Sequence, residues 1–395
     1  MEIEIIPIDI TKNIFDEYHE ELLKLQKSKY CYVSNIDLIS ELLIRELPIQ
    51  NKRLAIKNIL SFLTYIDTEI KIKDTTLLNI SSSKLIEFFS RDTYKEYMNL
   101  LEELFILSDV PYSDGKFYTI DKLSKQYRVH NSYINNDNLC MIILENDRAK
   151  DKFVCNINID NRFRTTIMNL DIDMKSAVIS EIDYCRENNL TSNNLRIRLS
   201  RLFYTRMKRY IKKGTNVDRI YHSFTNVSKV SRRHLTTKMY NIDIVNSQPL
   251  MLISYLSKEG LYYDDNYKKD CENGSFYDNF ITKDISRDDV KVQLYKSIFF
   301  SFNKNLLINK RFKELYPITW KSLSDIKDTD VSLASRLQNL ESELFNNLIP
   351  KKSKEYFTLF DAIYFNNIND IVTLNKNIHS FFNNIGVNVT TKIEY

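Results

Sequence analysis

The sequence predicts an α+β, helix-rich fold, and three observations carry that expectation. Glycine and proline are scarce, 5 and 6 in 395 residues, so little interrupts helical stretches. Several long segments carry apolar residues at helical spacing. Two short apolar runs break that pattern and read as strands. One ends on Asp243, and the other, Glu355 to Phe365, reads as a pair of strands with Asp361 at the bend. A 43% hydrophobic fraction with 12% aromatics is that of a folded chain, and the length leaves room for two or three domains.

Taken in order, residues 14 to 30 and 34 to 46 read as amphipathic helices, with Lys52 to Thr68 as a third. Asn79 to Ser83 cap a short helix from Lys84 to Phe89. A turn over 90–93 leads into a helix from Tyr94 to Leu107. Val110 to Tyr118 then reads as strand, Asp114-Gly115 turn and strand, and Ser124 to Val129 as a further strand. Residues 135–137 look like a linker, and 136–195 are the least readable. Helices are expected from Asp173 to Asn188 and from Asn194 to Lys213. The second lines up Leu195, Leu199, Leu202, Phe203, Met207 and Ile211 on its apolar side. After Asp243 come a helix from Gln248 to Lys258, a helix through Arg287 and Phe299, and one closing near residue 350.

Net charge is only +4, yet 13 Lys or Arg face one acid, Asp218, between Arg196 and Tyr240. Such a block reads as a footprint for a phosphate backbone, with a solvated basic helix face as the plainer alternative. The five cysteines are scattered and form no C-x-x-C pair, and the five histidines do not cluster. Neither a zinc site nor a disulfide framework is expected. No apolar run approaches the roughly 18 residues of a membrane helix. The N-terminus is acidic and lacks the basic start of a signal peptide, so a reducing cytoplasm is the expected compartment, with no membrane partner.

A carboxylate at a strand end, facing a basic approach, suits Mg²⁺ held against phosphates, although strand-end aspartates are also ordinary turn formers. A second acid at a hairpin bend, Asp361, supplies the other half of a two-metal site. Between them Arg287, Lys291, Tyr295 and Phe299 recur every fourth residue. Two cations and two aromatics on one helix face match the phosphates and the base and sugar of a nucleotide; snorkelling side chains on an amphipathic helix give the same pattern.

Two resemblances follow from these residues. The helix–turn–helix and hairpin of the N-terminal part, ending S-K-Q-Y-R-V, resembles the winged-helix modules of phage and plasmid replication proteins. That resemblance implies that the helix from Thr93 enters a DNA groove while Arg91, Lys95, Lys116, Lys125 and Arg128 touch backbone. From about 205 to 395 the chain resembles the palm and fingers of family A DNA polymerases and, more distantly, the single-subunit phage RNA polymerases. D-R-I-Y-H-S-F-T-N-V is similar to a primer–template-contacting stretch, with Arg219 and Asn226 on its Arg and Asn. Asp243 falls on the metal-binding Asp of motif A, and Asp361 on the Asp of motif C. Arg287, Lys291, Tyr295 and Phe299 keep the R-x3-K-x3-[FY]-x3-Y spacing of motif B. Gln338 falls on the helix before motif C that carries a template-contacting Gln.

The resemblance implies a template-directed polymerase using two Mg²⁺, or Mn²⁺ in their place. Asp243 and Asp361 bind the metals, and Arg287 and Lys291 hold the triphosphate. Tyr295 and Phe299 pack on the incoming nucleotide, while Arg219, Asn226, Arg232, Arg233 and Gln338 contact the template–primer. Gln248 stands where the DNA polymerases have a glutamate that excludes the ribose 2′-hydroxyl, so deoxynucleoside triphosphates are the expected substrates. Phe360 replaces the usual motif C His, and Phe299 and Phe300 replace the Tyr-Gly that closes motif B. A short span between motifs B and C implies reduced fingers, and no stretch reads as a proofreading exonuclease. The implied division is 1–135 helical and winged-helix-like, 136–205 a middle, thumb-like part, and 206–395 palm and fingers. An RNA polymerase or primase with the same site, and a non-catalytic DNA-binding initiator or regulator, remain alternatives. Mobile-element replication and antiviral defence are both compatible roles.

Overall fold

The computed structural model describes the chain apart from residues 1–2, 29, 48–50, 114, 116–123, 145–152, 156, 215–216, 284, 301–305, 328–332, 361 and 395. The fold is α+β, dominated by helix, with small sheets. The chain forms two compact units, neither continuous in sequence. The first comprises Met1–Val154, Leu170–Tyr210 and Asn226–Thr236. The second comprises Cys155–Asn169, Ile211–Thr225 and Thr237–Tyr395. Residues 136–205, read from the sequence as a middle part, contribute to both.

In the first unit, strand Leu139–Leu144 is the middle of an antiparallel sheet between Ile3–Pro7 and Tyr30–Asn35. All six of its residues are buried. A strand covered on both faces has no polar–apolar alternation, which is why the sequence did not show it. The helices expected over 14–30 and 34–46 are instead Ile14–Glu17, His19–Lys27 and Ile36–Ile44, with the strand between them. Helix Lys52–Lys73 follows, its first turn capped by Asn51, whose Oδ1 accepts from Leu54 N at 3.1 Å. Next come strand Leu77–Ile80, helices Ser82–Phe88 and Tyr94–Glu103, and strands Leu107–Val110 and Lys125–Val129. The last of these is the middle strand of a second antiparallel sheet, in which Tyr127 pairs with both Leu78 and Asp109. The strand expected around 116–118 lies outside the described residues. Both sheets pack into one core, to which Tyr32, Phe62, Leu63, Tyr97, Leu101, Tyr127 and Ile142 belong.

Helix Ser192–Met207 lays the expected stripe of Leu195, Leu199, Leu202 and Phe203 against helix Lys52–Lys73 and strand Tyr30–Asn35. It ends at Met207 rather than Lys213, because Lys208 turns extended and Arg209–Lys213 forms a strand. Within this packing, Arg196 and Asp67 form an ion pair at 3.6 Å with side chains 1% and 0% exposed. Arg196 also donates to the Tyr133 carbonyl and, at 2.9 Å, to Asn193 Oδ1. Its guanidinium lies 4.7 Å from the centre of the Tyr133 ring. Burial pushes the Asp67 carboxyl up to about 6, against the opposing pull of Arg196 and of a hydrogen bond from Ser200. A second buried acid, Glu181 on helix Met174–Glu187, accepts from Arg198, Ser228 and Ser231.

The second unit is built on a four-stranded antiparallel sheet ordered Tyr356–Leu359, Ala362–Phe365, Tyr240–Ile244, Thr391–Glu394. Both runs expected as strands are strands. Helix Ile368–Asn384 buries Ile371, Leu374, Ile378 and Phe382 in contact with the sheet. The outer edge of Tyr356–Leu359 is covered rather than left open to another chain. Thr166 Oγ1, on helix Asn161–Asn169, accepts from Tyr356 N at 3.1 Å, and His222 Nε2 donates to Thr358 O at 2.8 Å. On the same helix, Arg162 Nη1 donates to the carbonyls of Pro350, Lys351 and Ser353 at 3.1, 3.0 and 3.0 Å. That contact fixes the chain as it enters the hairpin.

Candidate functional site

Strand Tyr240–Ile244 alternates. Ile242 and Ile244 are 1% and 2% exposed on one face, which leaves Asp243 half-buried on the other. Asp243 pairs with Ala362 on one side and Lys392 on the other. Directly opposed residues of an antiparallel pair share a face, so Asp243 stands between a methyl group and an exposed lysine. Ala362 opens the second strand of the hairpin. Its partner Leu359 closes the first, and Phe360 begins the connection between them. Phe360 has φ +54°, a left-handed conformation that a bulky residue adopts at a cost of about 1–2 kcal/mol. Asp361 itself lies outside the described residues, as does Lys116.

Just past Asp243, Asn246 takes φ +56° and its side chain donates to Cys271 O at 3.3 Å, turning the chain into helix Ser247–Lys258. The first residues of this helix meet an acid that the sequence reading passed over. Glu341, on helix Leu333–Leu348, is 1% exposed. Its Oε1 accepts from Ser247 Oγ at 3.0 Å and from Gln248 Nε2 at 3.3 Å, and its Oε2 accepts from Arg219. One signal for it was present: Glu341 falls in the apolar stripe with Leu337, Leu344 and Phe345, where a carboxylate needs partners. The same helix offers Gln338, whose Nε2 donates to Tyr295 Oη at 2.6 Å, and Asn339, whose Oδ1 accepts from Asp218 N at 2.7 Å. Gln248, Arg219, Gln338 and Tyr295 are therefore joined through one helix.

The stretch from Arg287 is α-helical to Leu294 and then π-helical from Tyr295 to Phe300. In a pure α-helix a four-residue repeat drifts by roughly 40° per step. A π turn, bonded i to i+5, winds less per residue and pulls the last step back. It brings Phe299 inward to 1% exposure, leaves Phe300 exposed, and sets the Tyr295 and Phe299 rings 6.4 Å apart. Burial pushes the Tyr295 hydroxyl up, so it stays protonated; while accepting from Gln338, it keeps its own hydrogen to donate. Arg287 is half-exposed, paired with Asp278 at 2.9 Å and donating to Gly274 O at 3.2 Å. Lys291, one turn on, is exposed and makes no ion pair among the described residues.

The basic block is largely committed to the protein itself. Besides Arg196 and Arg198, Arg206 donates to the carbonyls of Leu25, Gln26, Ser28 and Ile172 and pairs with Asp171 at 3.3 Å. Arg209 shares Asp171 at 3.6 Å, Lys208 pairs with Glu87 at 2.8 Å, and Lys213 pairs with Asp218. Arg219 is held by Glu341, with its guanidinium 5.3 Å from the Phe360 ring centre. Arg232 donates to Val227 O, whereas Arg233, at the end of helix Lys229–Arg232, is exposed. Asn226 sits half-buried in the preceding turn, and Arg128 is exposed on strand Lys125–Val129. Asn226, Arg232, Arg233 and Arg128 belong to the first unit, and Asp243 belongs to the second.

Among the described residues no group of three or more His, Cys, Asp and Glu is arranged to hold a metal ion. Asp243 contributes a hard oxygen donor with Oδ1 shielded from solvent, which fits a magnesium ion that takes one or two protein carboxylates and completes its shell with phosphate and water. No family model matches the chain, and no curated protein matches it.

Proposed function

We propose that the chain is a template-directed nucleic-acid polymerase of the family A kind, acting on deoxynucleoside triphosphates. One observation supports this reading above the others. The strand that carries Asp243 pairs with the hairpin that carries Asp361, in a register that sets Asp243 opposite Ala362, the residue after Asp361. Asp243 thereby lies on the strand next to the one that Asp361 immediately precedes in sequence, and a two-metal phosphoryl-transfer site needs two carboxylates close together.

In this reading Asp243 and Asp361 hold two Mg²⁺, which when bound activate the attacking hydroxyl and offset charge on the leaving pyrophosphate. The chain's own groups do the rest. Arg287 and Lys291 lie one helical turn apart and meet the triphosphate. The Arg287–Asp278 pair is solvent-exposed, so a phosphate replaces Asp278 at little cost. Tyr295 presents its ring and its donor hydroxyl to the nucleotide. Phe299 supports Tyr295 from within rather than touching the base. Gln248 crowds the sugar. Arg219 braces the site through Glu341 in place of the free contact to duplex expected from sequence. In the first unit, the order helix, strand, two helices and a two-stranded hairpin, with Lys125–Val129 central, supports the winged-helix reading and a nucleic-acid partner.

The test is extension of a labelled primer on a DNA template with Mg²⁺, using dNTPs and rNTPs in separate reactions. Wild type should extend with dNTPs, and chelation with EDTA or the change Asp243→Ala should abolish extension. Product from rNTPs alone would move the chain to the RNA polymerase or primase reading. No product from either, with DNA binding retained, would leave a binding protein.

A further inference from the structure

The buried acid Glu341 has no counterpart among the motif residues that led to the polymerase reading, yet it holds two of them, Arg219 and Gln248. It lies one turn beyond Gln338 on the same helix face, so helix Leu333–Leu348 meets Tyr295 through one residue and Arg219, Ser247 and Gln248 through the other. We propose that Glu341 is a positioning residue for sugar selection: it fixes the Gln248 side chain as a rigid barrier to the ribose 2′-hydroxyl. The inference deepens the polymerase reading and rests on it.

Three features argue for this. A carboxylate only accepts hydrogen bonds, so Gln248 must turn its amide NH₂ toward Glu341, which removes the amide flip. Gln248 Oε1 is consequently buried with no hydrogen-bond partner among the described residues, which marks an orientation imposed by the charged partner rather than chosen for the amide's own satisfaction. Asn246 makes no side-chain cap to the helix that begins at Ser247, and the Glu341 carboxylate stands at that helix start, bonded to the side chains of its first two residues, where a negative charge favours the positive end. Ser247 and Arg219 hold the same carboxylate from two further directions. A steric barrier works only if it cannot swing aside, and here both the helix start and the side chain are tied to one buried group.

The experiment measures kcat/KM for a dNTP and for the matching rNTP in wild type, Glu341→Gln, Glu341→Ala, Gln248→Ala and the Glu341→Gln/Gln248→Ala pair. Melting temperatures identify variants that fail to fold. Because Glu341→Gln preserves size and two acceptor lone pairs, it serves if Glu341→Ala unfolds, and Ser247→Ala provides a milder loosening of the same node. The expected result is a loss of about tenfold in dNTP-over-rNTP preference, carried by a lower KM for the rNTP. The double variant should be no less selective than Gln248→Ala alone. A merely structural role would lower both activities together and leave the ratio at its wild-type value, and that outcome overturns the proposal. Effects of Glu341→Gln and Gln248→Ala that simply multiply would overturn it as well. Wild type that extends with neither nucleotide class overturns the polymerase reading itself, and the inference with it.

Discussion

Replacing Asp67 by Asn should change how stability depends on pH, and the size of the change follows from the buried pair. Asp67 moves from an ordinary 3.8 to about 6 in the folded protein, chiefly through burial. At about 1.4 kcal/mol per pH unit that difference is worth ~3 kcal/mol. The folded pKa lies above the unfolded one, so the native state binds this proton more tightly. The contribution is complete below about pH 3.8 and is lost as pH rises through about 6. Between pH 7 and pH 5 the native state gains ~1.4 kcal/mol from this one group. The groups facing Asp67 are Arg196, Ser200 and the Tyr133 hydroxyl, which burial pushes far up. Ser200 does not ionise, and the Tyr133 hydroxyl stays protonated through that window. The assay is urea unfolding followed by far-ultraviolet circular dichroism, for wild type and Asp67→Asn at both pH values. The difference in unfolding free energy between the two proteins should shift by ~1.4 kcal/mol in favour of wild type on going to pH 5. A difference that stays flat would refute the reasoning, because it would mean that Asp67 titrates in the fold as it does in water.

Two further outcomes follow from other contacts. Arg162→Met removes three hydrogen bonds to the carbonyls that lead into the Tyr356–Leu359 strand, and should lower the unfolding free energy by about 1–3 kcal/mol; unchanged urea midpoints would show that water replaces the guanidinium there. Burial pushes the thiols of Cys31 and Cys140 up to about 12 and that of Cys185 to about 11, and raises Cys271 further, while Cys155 is only half-buried. At pH 8 a thiol reagent should therefore modify Cys155 first in the native protein, and fast labelling of all five thiols would contradict the packing around the other four.

Sequence legibility followed the range of the interactions involved. Local signals were readable. Ser81, within the stretch read as a cap, accepts from Lys84 N three residues on, and the stripe of Leu195, Leu199, Leu202 and Phe203 is set by helical geometry alone. The strands around Asp243 and the Glu355–Phe365 hairpin stood out as apolar runs with an acid at the end or bend. Features that depend on distant partners were hidden. Leu139–Leu144 becomes a central strand only because Ile3–Pro7 and Tyr30–Asn35 come to it. The inward turn of Phe299 depends on a π segment that no four-residue repeat announces. Glu341 was legible as an acid in an apolar stripe but not as the partner of Arg219, which precedes it by more than a hundred residues. Arg196, Arg206 and Arg219 looked like surface cations because their acceptors lie elsewhere in the chain.

The internal use of those cations bears on how the protein should respond to ionic strength. Each phosphate that a lysine or arginine neutralises on double-stranded DNA releases counterions and contributes about −0.9 to the slope of log affinity against log salt. A guanidinium already bonded to backbone carbonyls or to a buried carboxylate releases none. If all 13 cations between Arg196 and Tyr240 met phosphates, the slope would be steep. With Arg196, Arg198, Arg206, Arg209, Arg219 and Arg232 already bound within the fold, that stretch contributes a slope shallower by about 5 than the full block would. Any grip this chain has on a nucleic-acid strand would then survive salt concentrations at which a surface polycation of the same sequence lets go.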